Sequence, residues 1–283
     1  MTHQLRTRHF PKNLFALLTV FLALFPLTAC GTGGATQDSR TAQPGIPAAQ
    51  RGGKTEVIII GMIHGGHRTA RNYPLSRIET VVRAIAPDLV LTEIPPDRID
   101  AALQSWRDTG RVTEQRTRAF PEYTDVIIPL QAELGFAMKG TAAWTPEIAA
   151  SRRAKLQTIE ADPDRADQWA AWQVSQAQFR ATLDGRGSDP LYIHTTEYDV
   201  AVEARYQPYI RYFDPEIGAG GWEAINRGHW ANIAAELDAV SGQGKRVLIT
   251  YGGFHKYWIL RQLAERDDVI VTPARDYFLL APS

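Results

Sequence analysis

Cysteine is nearly absent from this chain: among 283 residues there is one, Cys30. A single cysteine excludes a disulfide within the chain, so packing and hydrogen bonds must stabilise the fold. Net charge is absent as well, because 31 basic residues are balanced by 31 acidic ones. The chain has no basic stripe and no block rich in Lys and Arg, which argues against a nucleic-acid partner.

Acidic residues are missing from the first 29 positions, which nevertheless contain Arg6, Arg8 and Lys12. An apolar run over residues 14–27 follows. A basic start before a short apolar run is typical of a removable signal peptide. The run is too short to span a bilayer comfortably as a permanent helix. We therefore expect residues 1–29 to be a leader.

The end of the leader and the two residues after it read Leu-Thr-Ala-Cys-Gly at 27–31, which resembles the lipobox of bacterial lipoproteins. The resemblance implies that Cys30 becomes the acylated first residue of the mature protein, since several acyl chains give durable anchoring. An ordinary signal peptide with an incidental cysteine is the alternative. Gly31 after the cysteine, instead of Asp, favours the periplasmic face of the outer membrane in a Gram-negative cell. We thus expect a lipid-anchored protein of the cell envelope.

The segment after the leader has little to bury. Residues 30–53 are rich in Gly, Ala, Thr, Gln and Pro, which predicts a lipidated cysteine followed by a flexible tether. Residues 54–283 have a length that suits a single α/β domain. Because the leader removes three basic residues and no acidic one, the mature chain has three more acidic than basic groups.

Two short apolar runs near the start of this domain predict buried strands at 56–61 and 88–93. Between them, residues 75–86 have apolar side chains at helical spacing. Strand, helix and strand in this order form a βαβ unit, so we expect the two strands to be parallel neighbours. Residues 134–139 predict a third strand.

The rest of the domain alternates in the same way after a long helical stretch. Residues 146–220 are dense in Ala, Gln and aromatic residues and predict a helical insertion. The fold class is therefore α/β, with a mostly parallel central sheet, helices on both faces and an insertion at about 146–220. The last elements are a predicted helix at 222–240, a strand at 246–251, a helix at 255–266 and a strand at 269–272.

Ionisable residues follow three of the predicted strands. Gly61-Met62-Ile63-His64 ends the first, Glu93 ends the second, and Gly252-Gly253-Phe254-His255 ends the late one. A glycine at the strand exit allows a sharp turn. Ligands of such sheets bind beyond the carboxyl ends of the strands. His64, Glu93 and His255 are therefore predicted to meet there, as general base and orienting carboxylate or as metal ligands.

These marks resemble a known superfamily, which joins the TraB/PrgY proteins, the TIKI proteases, the erythromycin esterases and the ChaN-like lipoproteins. Its members share two Gly-x-x-His motifs and a Glu after the second strand, here Gly61–His64, Gly252–His255 and Glu93. A further mark is an Arg opening a helix ahead of the second motif, which Arg227 supplies. The resemblance covers most of residues 55–272 and implies an erythromycin-esterase/ChaN-like fold and site.

The resemblance implies a hydrolase of ester, amide or peptide bonds in small molecules or peptides. Either His64 takes a proton from water with Glu93 orienting it, or His64, Glu93 and His255 bind a divalent ion. Arg227 would neutralise the developing oxyanion. Since lipidation consumes the one thiol, the ligands are N and O atoms only, which suits Zn, Mn or Co.

The alternative that ChaN-like relatives imply is a protein that binds haem or iron without catalysis. Tyr251, Tyr257 or a His would then be the axial ligand of haem. An absorbance band in the Soret region distinguishes this alternative from the hydrolase.

Other candidates carry weaker signals. His67 lies three residues beyond His64 and can reach the same crevice, whereas His229 shares a helix with Arg227 but points elsewhere. His194 and Glu197 have the spacing of one helix face, which indicates a solvated face more than a metal site. The tryptophans of the insertion are expected to wall an apolar pocket or to form core.

Overall fold

The computed structural model describes residues 44–281 of the chain. The predicted leader, Cys30 and the first part of the tether lie outside the described residues. One compact unit spans Ala42–Ser283 and contains every element described below. Among the described residues, no helix combines the length and the apolar character needed to cross a membrane.

A five-stranded sheet forms the centre of the described part of the chain, and all of its strand pairs are parallel. The spatial order of the strands is β3-β2-β4-β1-β5. The α/β class is therefore confirmed, with a wholly parallel sheet where a mostly parallel one was expected. The strands are β1 (Thr55–Met62), β2 (Leu89–Thr92), β3 (Ala137–Gly140), β4 (Arg246–Gly252) and β5 (Val269–Val271).

The prediction that the first two strands are neighbours is wrong, because β4 lies between them. Leu248 of β4 is paired with Ile58 of β1 on one side and with Val90 of β2 on the other. All three side chains are fully buried. A crossover helix is long enough to pass over one strand position, so a βαβ connection does not force direct pairing. The late apolar strand therefore takes the central position.

Helices cover both faces of the sheet, as predicted. Alternate residues of β1 serve two separate cores: Ile58 and Ile60 pack into one, and Val57 and Ile59 into the other. This is the two-residue period of a strand that is buried on both faces. The helices before the insertion are α1 (Leu75–Ile85), α2 (Pro96–Thr109) and α3 (Ile128–Leu134).

Residues 146–220 are helical, as expected. Long helices α5 and α7 pack against each other, and Trp172 of α5 contacts the rings of Tyr206 and Tyr209. A buried ion pair joins α7 to the helix after β4, with Lys256 Nζ 2.6 Å from Asp199 Oδ1. The remaining helices are α4 (Pro146–Ala161), α5 (Ala166–Leu183), α6 (Pro190–Ile193), α7 (Thr196–Tyr212), α8 (Asp214–Ile217), α9 (Trp222–Val240), α10 (Gly253–Ala264) and α11 (Ala274–Leu280).

The predicted tether ends earlier than residue 53. The backbone N–H of Ile46 donates to Glu56 Oε1 at 2.8 Å, and Arg51 donates to the carbonyl of Gly244 at 2.6 Å. Arg51 is buried against the sheet. The segment has little apolar surface, but its backbone and Arg51 satisfy a buried carboxylate, so residues 44–53 belong to the folded domain.

A crevice opens between the carboxyl ends of β1 and β4. Helix α1 leads from β1 to β2 on one side of the β1–β4 pair, whereas α10 leads from β4 to β5 on the other side, and crossovers between parallel strands are right-handed. The connections that leave these two neighbouring strands thus pass to opposite faces of the sheet. Such a switch point is where parallel sheets bind their ligands.

Candidate active site and metal site

His64, Glu93 and His255 meet at this crevice, as the sequence predicts. His64 Nε2 lies 3.6 Å from Glu93 Oε2, and His255 Nε2 lies 3.8 Å from Glu93 Oε1. Glu93 and His255 are buried, whereas His64 is 32 % exposed. The carboxylate therefore lies between two imidazoles at the floor of an accessible crevice.

The two glycines that open the Gly-x-x-His motifs allow close packing of the two motifs. The sequence predicted that these glycines would instead allow a sharp turn of the backbone. Neither adopts a left-handed backbone conformation. A Cβ on Gly252 would lie 2.8 Å from His64 Nε2, and one on Gly61 would lie 3.1 Å from the Cα of Gly253. Parallel pairing of β1 with β4 sets the motifs side by side. Each glycine thus leaves room for the neighbouring motif.

Glu122 supports His64 from below. His64 Nδ1 lies 2.6 Å from Glu122 Oε1, and Glu122 is fully buried. Burial lowers the pKa of His64, but the hydrogen bond to Glu122 and the charge of Glu93 outweigh it and hold this pKa above its usual value. A carboxylate accepts only from a protonated nitrogen, so Nδ1 carries the hydrogen and Nε2 faces Glu93.

The backbone at His64 is strained. His64 has φ of 50°, which is left-handed and uncommon for a residue with a Cβ. Such a conformation persists only where neighbours hold it, and it clusters at functional sites. Here the hydrogen bond to Glu122 and the edge of the Phe120 ring, at 4.8 Å, fix the imidazole.

A wide helical turn next to Glu122 positions Glu93. Residues Tyr123–Ile127 form a π-helix, a form found frequently at functional sites. The buried Tyr123 hydroxyl donates to the carbonyl of Thr250 and accepts from the backbone N–H of Glu93, each at 2.8 Å. The Tyr123 side chain thereby ties the ends of β2 and β4 together.

The carboxylate of Glu93 keeps one strong partner in the protein, the backbone N–H of Gly252 at 2.6 Å from Oε2. Burial raises the pKa of Glu93, and the nearby charge of Glu122 adds to this, while His64 and Gly252 act in the opposite direction. A buried carboxylate that lacks full compensation is costly unless a cation is bound beside it. Glu93 therefore differs from a structural carboxylate, whose hydrogen bonds and ion pairs compensate the free-energy cost of burying its charge.

His255 is held by Asn226 and Trp222, both in α9. Its Nδ1 lies 2.7 Å from Asn226 Oδ1, and the Asn226 amide nitrogen donates to the Trp222 carbonyl. This orients the amide, so His255 Nδ1 donates and Nε2 presents its lone pair. The Trp222 ring stacks on the imidazole at 4.8 Å. Burial, then the neighbouring His229, His64 and Arg152, hold the pKa of His255 well below its usual value.

A buried group of Glu93, His229 and His255 could hold a metal ion, because one ligand atom from each lies within 4.8 Å of the others. His229 differs from the other two in its hydrogen bonding. Its Nδ1 accepts the backbone N–H of Ala143 at 2.9 Å, and burial lowers its pKa to about 3. A neutral ring that accepts at Nδ1 carries its hydrogen on Nε2. That Nε2–H has no hydrogen-bond partner among the described residues.

The spacing around Glu93 fits a shared ion better than direct hydrogen bonds. Separations of 3.6 and 3.8 Å exceed hydrogen-bond length. Two ligands that each lie about 2.1 Å from a tetrahedral ion are separated by roughly 3.4 Å. A histidine that binds a metal usually hydrogen-bonds a carboxylate or a carbonyl oxygen through its other ring nitrogen. Here Glu122 is that partner for His64, and the Asn226 amide oxygen is that partner for His255.

Arg227 is not part of this arrangement. Its side chain is 65 % exposed and lies 4.0 Å from Glu223 on the solvent side of α9, whereas His229, two residues later, is fully buried. Residues two apart on a helix do not share a face. The cation that acts on His255 is instead Arg152 of α4, which donates to the Tyr209 hydroxyl at 3.1 Å.

His67 and His194 have structural roles. His67 accepts from the backbone N–H of Ile63 and bonds the Tyr73 carbonyl. His194 likewise accepts from Gly61 and bonds the Pro190 carbonyl. In each ring both nitrogens form hydrogen bonds to the backbone, so His67 has no free nitrogen to offer to the crevice. Glu197, the expected neighbour of His194, is exposed and pairs with Arg186.

The two tyrosines proposed as haem ligands have hydroxyl partners. Tyr251 is fully buried with its hydroxyl 2.8 Å from Thr141, and the Tyr257 hydroxyl accepts from Trp222 Nε1 at 2.9 Å. Both side chains are buried among the described residues. Of the histidines at the site, His64 is the one that is partly exposed.

Sequence reasoning missed Glu122 and Asn226, although both gave a signal. Glu122 is a carboxylate next to Tyr123, between Phe120 and the apolar run at residues 126–130. Asn226 has the spacing of the buried face of α9, together with Trp222 and His229. Polar residues on an apolar helix face are expected to have buried partners, and here the partners are the backbone and His255.

Comparison with known proteins adds no relative to these observations. No family model, no curated protein and no solved structure matches the chain. The resemblance to the TraB, TIKI, erythromycin-esterase and ChaN-like superfamily therefore stays a prediction from the two Gly-x-x-His motifs and Glu93.

Proposed function

We propose that the chain is a hydrolase of ester, amide or peptide bonds, with its active site around Glu93. The observation that carries the proposal is the position of the buried Glu93 carboxylate between His64 and His255, at 3.6 and 3.8 Å. Each imidazole has a partner on Nδ1 that directs Nε2 to the centre. Such fixed, converging groups at a strand-end crevice are typical of hydrolytic sites.

The donor atoms that lie within 4.8 Å of one another belong to Glu93, His229 and His255, and His64 is outside this group. We nevertheless propose His64, Glu93 and His255 as the ligands of a divalent ion, because the neutral His229 ring carries a hydrogen on Nε2. Their donor atoms are two imidazole nitrogens and carboxylate oxygens, a set that suits Zn, Mn or Co. A bound ion would supply a water of pKa about 7 and would polarise the carbonyl of the substrate. If the site works without metal, His64 accepts the proton of the attacking water and Glu122 orients its ring, as in other His–carboxylate pairs.

We assign to His229 the role that the family resemblance implies for Arg227. Its buried Nε2–H is fixed by the hydrogen bond at Nδ1 and has no partner among the described residues. A pre-oriented donor beside the reacting centre stabilises negative charge that develops on the substrate oxygen. We assign this role to His229 because Arg227 is solvent-exposed.

The remaining parts of the proposal concern location and partners. Acylation of Cys30 would anchor the enzyme to the membrane, at the periplasmic face of the outer membrane in a Gram-negative cell. Its substrate would be a small molecule or a peptide in the cell envelope, with no nucleic acid involved. Non-catalytic haem or iron binding is the other outcome that the experiment below distinguishes.

The test combines metal analysis with an activity screen on the purified chain. We expect about one divalent ion per chain and hydrolysis of simple esters or amides that chelators abolish and added metal restores. His64→Ala should remove activity, whereas Arg227→Ala is the matched control and should leave it unchanged. A strong Soret band without hydrolysis would establish the haem-binding alternative. Absence of both metal and turnover would contradict the hydrolase proposal.

A further inference from the structure

A cavity of about 330 Å³ opens directly onto the two histidines of the site. His64, Gly252 and His255 form its floor, which brings it within contact of the proposed reacting centre. Its volume lies at the lower end of the range for small-molecule sites. The other lining residues include Leu183, Gly187, Tyr198, Tyr206, Trp222 and Phe254.

The lining is apolar and carries no formal charge apart from the site itself. Among the residues that line it, all within the described part of the chain, there is no Asp, Glu, Lys or Arg. Of the charged residues behind this lining, Asp199 and Lys256 neutralise each other in their 2.6 Å ion pair. The Arg205 guanidinium lies over the rings of Phe254 and Tyr206, at 4.4 and 5.3 Å, and donates to Gln176. A charged group held against these walls, away from His64 and His255, would lose its hydration and find no charged partner among the lining residues, which is costly.

The helical insertion forms the wall of the cavity opposite the sheet. Leu183 ends α5, Gly187 lies in the following turn, and Tyr198 and Tyr206 belong to α7. The wall is rigid at its inner end, because the Trp222 ring is stacked between Tyr206 at 3.5 Å and His255 at 4.8 Å. The insertion thus determines the shape of the space beside the reacting groups.

We propose that this cavity, the apolar pocket, binds an uncharged apolar group of the substrate, and that the helical insertion selects neutral esters or amides with such a group. The identification of the group as part of a substrate depends on the proposed hydrolase function. An apolar cavity of about 150 Å³ binds benzene, so this one accommodates a two-ring group or an aliphatic chain of comparable bulk. Anionic analogues of the same shape are rejected.

Binding is measured without turnover, on the compact unit Ala42–Ser283 that contains both cores. The probes are 1-naphthylamine and 1-naphthylamine-5-sulfonate, fluorescent two-ring dyes that share their rings and differ in a sulfonate. We expect the neutral dye to bind at least tenfold more tightly than the anionic one. Equal affinities, or tighter binding of the sulfonate, would overturn the proposal.

Variants locate the bound dye. Leu183→Trp fills the pocket and should weaken binding of the neutral dye at least tenfold, whereas Val174→Trp, on the exposed side of the same helix, should not change it. Gly187→Leu is a second filling variant, since a side chain there first meets only the tip of Leu183. Unchanged dye binding in whichever filling variant melts like the wild type would refute the assignment.

Turnover then separates the pocket from the function. If hydrolysis is found, kcat/KM should rise from acetyl to octanoyl 4-nitrophenyl esters, and Leu183→Trp should remove the preference for the longer chains. Esters of glutaric acid that carry a free carboxylate should react at least tenfold more slowly. Selective dye binding without any hydrolysis would leave the pocket established and the hydrolase proposal refuted.

Discussion

Glu93 is the residue whose charge should matter most to the site. Glu93→Gln keeps the shape and an oxygen that accepts from the Gly252 N–H, but removes the negative charge between the two histidines. Because burial raises the pKa of Glu93, losing the charge should not cost stability. We expect a melting temperature within a few degrees of the wild type and activity lower by a factor of about 100 or more.

The double variant with His64→Ala tests whether the two residues work together. Residues that act as one unit are strongly non-additive, so the second change should add little to the first. Thermal melts and turnover or metal content are measured on the same preparations. A Glu93→Gln chain that is destabilised but fully active would make Glu93 a structural residue.

His229 offers a pair of substitutions that separate its two nitrogens. Asn places an oxygen where Nδ1 accepts from the Ala143 N–H but lacks the distal donor, whereas Gln can replace the Nε2–H. We expect His229→Asn to lower kcat by a factor of about 100 with little change in KM, and His229→Gln to retain part of the activity. Metal affinity should stay within about threefold in both, because a protonated ring nitrogen such as the Nε2–H of His229 is not a metal ligand.

Metal affinity decides between the two roles of His229. His255→Gln serves as the reference, since removal of a ligand should weaken binding by a factor of about 10 to 100 or more. If His229→Asn weakens metal binding as much as His255→Gln does, His229 is a ligand and not a donor. Isothermal titration with Zn²⁺ measures both.

At the scale of elements, the strand ends are built so that two motifs fit against each other. Gly252→Ala would put a methyl group 2.8 Å from His64 Nε2 and 3.4 Å from Glu93 Oε2, at a backbone conformation that alanine tolerates. We expect the fold to survive and activity to fall by about tenfold or more, since small displacements of reacting groups are costly. Gly65→Ala, with open space around it, is the control. Unchanged activity in Gly252→Ala would mean that the position of His64 is not critical.

The elements themselves were largely predictable from periodicity, because buried strands and amphipathic helices leave strong local patterns. Helix α9 has the predicted bounds, and β1 extends the predicted strand by one residue at each end. The third strand starts three residues late, since the helix before it continues to Leu134 and ends at Gly135, whose φ of 75° suits glycine. The position of β4 could not be read from local sequence, because strand order depends on contacts between distant segments.

Some residues of the candidate site could be predicted from local sequence and others could not. His64, Glu93 and His255 follow apolar strands, so the strand-end rule identified them. Glu122 and Asn226 come from a π-helix and from the buried face of α9, and they reach the site only through tertiary packing. The position of Arg227 in the chain predicts a site residue, but its position on the helix places the side chain in solvent. Residues that hydrogen-bond a site histidine are therefore harder to predict from the sequence than the histidine itself.

At the scale of the whole molecule, Glu56 connects the start of the domain to the sheet. Its fully buried carboxylate accepts from Ile46 N, Arg246 Nε and Thr272 Oγ1, each at 2.8 Å. Burial opposes ionisation, but these hydrogen bonds outweigh it and lower the pKa of Glu56. A carboxyl whose pKa is lower in the folded state stabilises the fold above its unfolded pKa, and this contribution is lost as the pH falls through the folded value.

Glu56→Gln should therefore flatten the acid dependence of stability. At pH 7 it should lower the free energy of unfolding by about 3 kcal/mol, because Arg51 and Arg246 lose their buried partner. The loss of stability between pH 7 and about pH 3 should be smaller than in the wild type. Urea melts at both pH values measure this, with the exposed Glu265→Gln as control. Parallel pH curves for Glu56→Gln and the wild type would contradict the assignment.

Lipidation of Cys30 is predicted to anchor the whole molecule to a membrane in the cell. Lipidation forms a thioether on Cys30, and a serine hydroxyl cannot replace the thiol, so Cys30→Ser should yield a chain without fatty acid. Labelling with radioactive palmitate and detergent phase separation should show the wild type labelled and in the detergent phase, and the variant unlabelled. Because one acyl chain alone binds membranes only marginally, loss of all acylation should release any cleaved product to the aqueous phase. Gly31→Ala is the matched control and should remain labelled. Label retained in Cys30→Ser would show that the cysteine is incidental and that any anchoring has another origin.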